Sequence, residues 1–69
     1  MPNMKIILNG ETETVPDQLT LTELIRSRDL SGKRYAVEIN ERLIPRSQLE
    51  GHKLQEGDNV EIVQAIGGG

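Results

Sequence analysis

The sequence predicts an α+β fold in which one helix lies across one face of a mixed sheet, and three observations predict it. Asn9-Gly10 divides two β-prone runs in "MKIILNGETETV", and this dipeptide readily supplies the positive φ angles of a hairpin turn. Thr20 and Glu23 stand in the T-x-x-E spacing of a capping box at the head of an apolar helical period. The last β-prone run, "VEIVQAI", is apolar on both sides of its alternation, as a central strand is. Strands, one helix and then more strands make a two-layer plan.

Each element has its own signal. Around Asn9-Gly10 the chain reads strand, turn, strand. A two-residue loop would set Glu11 and Glu13 on the face of Ile6 and Leu8, so the register stays open between that loop and a longer or bulged one. Pro16 ends the second strand or sits at its edge. In "LTLTELIRSRDLSG", Thr20 is the N-cap, and Leu19 and Leu24 fall at the N′ and N4 positions of a hydrophobic staple. Leu21, Leu24 and Ile25 form one buried stripe, while Arg26 and Arg28 complement the negative end of the helix dipole. Ser31-Gly32 is expected to stop the helix. "YAVEIN" alternates with Val37 and Ile39 on one face, Asn40-Glu41 turns the chain, and Pro45 limits the Leu43-Ile44 strand. "SQLEGHKLQEGDN" reads as a loop or one helical turn, pinned to the core by Leu49 and Leu54. The last strand then runs into Gly67, Gly68 and Gly69.

Composition narrows the function. With 69 residues and no cysteine, the chain is one small domain held by packing alone, suited to a reducing cytoplasm. Its amino end is too short in apolar residues for a secretory or membrane segment, and "MPN" before Met4 is either native or an added leader. A net charge of -3 and a single aromatic residue, Tyr35, argue against nucleic acid. One histidine, His52, in a polar loop cannot complete a metal site, and no nucleophile stands with a base. The expectation is a protein that is not an enzyme and holds no metal. Glu11, Glu13, Glu38, Glu41 and Glu61 make either a docking surface for a basic partner or a solvated sheet face. Arg42 and Arg46 either contact a partner or block edge pairing.

The terminal glycines stabilise nothing, because glycine loses more backbone entropy on ordering than any other residue. They provide access. Extended, they reach roughly 10 Å past Ile66, and without side chains they fit a narrow channel. The group delivered there is the α-carboxylate of Gly69, which is ionised at neutral pH and inert until another enzyme activates it.

Hairpin, capped helix, strands and a terminal Gly-Gly resemble the β-grasp, ubiquitin-like family. "MKIILNGE", "AVEINERLIPR" and "EGDNVEIVQAIGGG" together resemble the ThiS-type sulfur carriers of thiamine biosynthesis, from Met4 to Gly69. The resemblance implies a β-grasp domain over residues 1–66 and a flexible tail over 67–69. It also implies that an E1-like adenylyltransferase of the ThiF type uses ATP to adenylate Gly69. A persulfide donor then leaves a thiocarboxylate there, whose sulfur passes to thiazole synthase of the ThiG type. Gly67 and Gly68 would give the tail access, although the family motif needs only the last two glycines. No bound cofactor is implied, and the free carrier is expected to be a cytoplasmic monomer. Ile7, Val37, Ile44 and Val63, with Arg46, would form a docking patch on the open sheet face, unless that strand face is the one packed on the helix.

Three other readings stand beside this one. The small subunit of molybdopterin synthase shares fold, tail and thiocarboxylate chemistry, but its members tend to be longer and richer in aromatic residues. A ubiquitin-type modifier would join the same tail to a lysine. A plain β-grasp interaction module would use the glycines only as slack.

Overall fold

The structure, a computed structural model, describes residues 2–30, 32 and 34–64. In chain order it forms β1 (Asn3–Leu8), β2 (Glu11–Pro16), α1 (Leu21–Ser27), β3 (Tyr35–Ile39), β4 (Arg42–Ile44), a 3-10 turn (Arg46–Gln48) and β5 (Asn59–Gln64). The sheet order is β2-β1-β5-β3-β4. β5 is therefore central, parallel to β1 and antiparallel to β3. The predicted tail glycines, Gly67 to Gly69, lie outside the described residues, as does Ser31 of the expected helix stop.

The first hairpin takes the shorter of the two loops. Leu8 pairs with Glu11, so the loop is only Asn9 (φ 50) and Gly10 (φ 86), both with the positive φ of a type I′ turn. Glu11 and Glu13 do share the face of Ile6 and Leu8. An edge strand accommodates them: Glu11 is exposed at the sheet corner, and half-buried Glu13 forms an ion pair with Arg28 from the end of α1.

At the start of α1, Thr20 accepts the Glu23 N–H at 3.2 Å, while the Glu23 carboxylate accepts the Thr20 N–H at 2.9 Å. The capping box is complete, and these bonds hold the Glu23 carboxyl below its ordinary range. The Leu21 N–H, which has no partner within the helix, donates to the His52 carbonyl at 3.0 Å, tying the 49–58 loop to the helix. The helix ends before the expected stop. Asp29 takes a left-handed φ of 61, the Leu30 N–H bonds the Ile25 carbonyl at 3.2 Å, and the Asp29 N–H bonds Arg26 at 3.1 Å. That is a Schellman closure with aspartate where glycine is usual.

The core is wholly aliphatic apart from one methionine. Met4, Ile6 and Leu8 of β1, Val15 of β2, Val37 and Ile39 of β3, and Val60 and Ile62 of β5 cover one sheet face. Leu21, Leu24 and Ile25 of α1 meet them, and Leu49 and Leu54 close the side. No described polar side chain is buried without a partner.

The second hairpin, β3–β4, turns through Asn40 (φ 51) and Glu41 (φ 70). A glutamate in the left-handed region costs about 1–2 kcal/mol. Glu41→Gly is expected to stabilise the domain by about 1 kcal/mol net of glycine's entropy, read as a higher urea midpoint. An unchanged or lower midpoint would count against strain at this turn.

Candidate functional site

Two asparagines, one from each hairpin turn, hold the strand that leads to the tail. β1 pairs with β5 only through Ile7–Asn59 and Leu8–Val60, and the chain then turns away at Asn9. The Asn9 side-chain oxygen replaces the missing strand by accepting the Ile62 N–H at 2.9 Å. On the other flank, the Asn40 oxygen accepts the Asn59 N–H at 3.0 Å and its amide donates to Asp58 at 3.1 Å. The backbone adds Asn9 N–H to Val60 at 2.9 Å and Asn40 N–H to Asn59 at 2.8 Å. Sequence reasoning treated both asparagines as turn residues only. Their position at the first residue of two positive-φ turns was the available signal.

At the other end of β5, Gln64 is the last described residue and pairs with Tyr35. The Arg46 guanidinium stacks over the Tyr35 ring at 4.6 Å, a cation–π contact. Arg46, expected in a docking patch, thus stands at the root of the tail.

The predicted patch divides between two faces. Ile7 and Val63 are on the face away from α1, 37% and 64% exposed. Val37 is only 2% exposed and belongs to the core. Its register against Ile62 and Ile44 places all three on the helix side, because alternate residues of a strand point to opposite faces. Ile44 is half-buried against the same core. Sequence reasoning missed Leu43, which is 66% exposed and sits opposite Glu38 on the open face.

A model of the ThiS family matches residues 4–69. The chain belongs to the ThiS family. It is 32% identical over 66 residues to the sulfur carrier protein ThiS of Escherichia coli K12, a match covering 96% of this chain and all of that one. It is 33% identical over 66 residues to a thiazole synthase of Paramagnetospirillum magneticum, where the match covers 96% of this chain but only 20% of the synthase. The crystal structure of the thiamine biosynthesis protein ThiS from Geobacter metallireducens superposes with a TM-score of 0.80 at 29% identity, covering 96% of this chain and 100% of that one. The mixed sheet with one helix is thus the β-grasp fold of a ThiS structure.

Among the described residues, no group of histidine, aspartate and glutamate side chains could hold a metal ion, and no helix is long and apolar enough to cross a membrane. His52 is half-buried and lines an open hollow of ≈ 400 Å³ beside Arg42 and Lys53.

Proposed function

We propose that this chain is the sulfur carrier for thiazole formation in thiamine biosynthesis, a carrier rather than an enzyme, with the Gly69 carboxylate as the carried group. The observation behind this reading is the ThiS family match, which runs through the core and on to Gly69. The 66-residue likeness to a segment of a thiazole synthase supports thiazole rather than molybdopterin as the destination of the sulfur.

The steps follow from the carboxylate. A ThiF-type adenylyltransferase joins a Gly69 oxygen to the α-phosphorus of ATP and releases pyrophosphate. The terminal sulfur of a persulfide donor then bonds to the carbonyl carbon while the bond to AMP breaks. A thiol cleaves the remaining sulfur–sulfur bond and leaves the thiocarboxylate, which thiazole synthase consumes. Gly67 and Gly68 give the tail its access, residues 1–66 form the recognised domain, and the chain needs no cofactor of its own. Ile7, Val63 and Leu43 supply apolar docking contacts, while Arg46 stacked on Tyr35 marks where the tail departs.

The test is the intact mass of the protein after incubation with ATP, a ThiF-type enzyme and a persulfide source. A gain of one oxygen-to-sulfur exchange, mapped to Gly69, is expected. No gain with a demonstrably active enzyme would return the chain to a plain interaction module.

A further inference from the structure

Glu38 and Glu61 are direct cross-strand partners of β3 and β5, both exposed on the face away from α1. Like charges placed directly opposite each other destabilise a sheet. Neither forms an ion pair with a described residue, whereas Glu13, on the other face, is paired with Arg28. Apolar side chains lie on one side of the two carboxylates: Leu43 is opposite Glu38, and Ala36 is opposite Val63 one pleat further along, while Ile7, Lys5 and Asn59 also share this face. The fold thus sets two like charges opposite each other on its exposed face, Glu61 on β5, the strand that leads to the tail, and Glu38 beside it on β3.

We propose that this face docks thiazole synthase, and that a lysine or arginine of the synthase seats between Glu38 and Glu61 with aliphatic contacts around it. This inference rests on the carrier reading. Thiazole synthase is the chosen occupant because a segment resembling nearly this whole chain makes up 20% of one such synthase, so the domain and the enzyme are held together there. A basic group relieves the repulsion between the glutamates, and the double charge steers its approach.

The experiment compares full-length protein with its Glu38→Gln/Glu61→Gln and Glu38→Lys/Glu61→Lys variants. It measures urea unfolding and calorimetric binding to the thiazole synthase of the same source at low and physiological salt. The glutamine variant is expected to unfold at the same or a higher urea concentration, yet to bind about tenfold more weakly and with a flatter salt dependence. The lysine variant is expected to bind more weakly still, and Glu11→Gln, at the sheet corner, to bind normally. Binding by the glutamine variant within about twofold of the unsubstituted protein, or no binding by the unsubstituted protein, overturns the inference. Sulfur loading of the unsubstituted protein is scored separately: loading with unchanged docking overturns the docking surface alone, whereas failure to load overturns the carrier reading.

Discussion

Deleting Gly69 is expected to leave the urea unfolding curve unchanged while lowering sulfur loading by about a hundredfold or more. The deletion moves the terminal carboxylate back by one residue, roughly 3.5 Å, and misplacement by even about 1 Å costs about this much in a positioned reaction. Gly68→Phe is expected to give the same result for another reason, since a side chain now occupies the channel through which the tail must pass. Glycine has no side chain to lend to a core. Mass spectrometry after timed incubation with the ThiF-type enzyme reads the loading, and far-UV circular dichroism in urea reads the fold. Loading at the unsubstituted rate by both variants would show that Gly69 is not the activated residue.

Leu24→Ala is expected to do the reverse, abolishing loading by removing the fold. Leu24 is 1% exposed between the helix and the sheet, and such truncations cost about 2–5 kcal/mol. A domain of 69 residues has a total stability of only about 3–10 kcal/mol. The substitution should therefore abolish or sharply lower the cooperative urea transition, whereas Leu24→Met, which conserves volume, should cost less than about 1.5 kcal/mol. A full transition near the original midpoint in Leu24→Ala would mean that the helix-facing layer carries less of the stability than its burial implies.

The elements whose signals are local were legible in the sequence. The capping box at Thr20 and Glu23 and the turn at Asn9-Gly10 are short-range patterns, and both form as read. The two-sided apolar character of β5 pointed correctly to the middle of the sheet. What escaped depended on pairing between distant segments. The tight hairpin was doubted because it aimed two glutamates toward the core side, and only the fold brings Arg28 to Glu13. The helix end was misplaced because aspartate is an unusual residue for a left-handed closure. Val37 was included with the docking residues, and Leu43 left out, because alternation defines two faces without saying which one the helix covers. Glu38 and Glu61 lie far apart in sequence, and their opposition appears only once β3 and β5 are in register.

The placement of β5 also has a mechanical meaning. Its chain direction leads toward the glycines, so under the proposed function an enzyme drawing the tail into its channel would pull along the axis of the central strand. A strand peeled from an edge would release its hydrogen bonds one after another. β5 is gripped along both flanks, by β1 with the Asn9 amide on one side and by β3 with Asn40 on the other. The pull is therefore borne in shear by many bonds at once, and the domain serves as an anchor for its own tether. Under the proposed function, a carrier pulled by its last residues would be loaded and let go without unzipping its body.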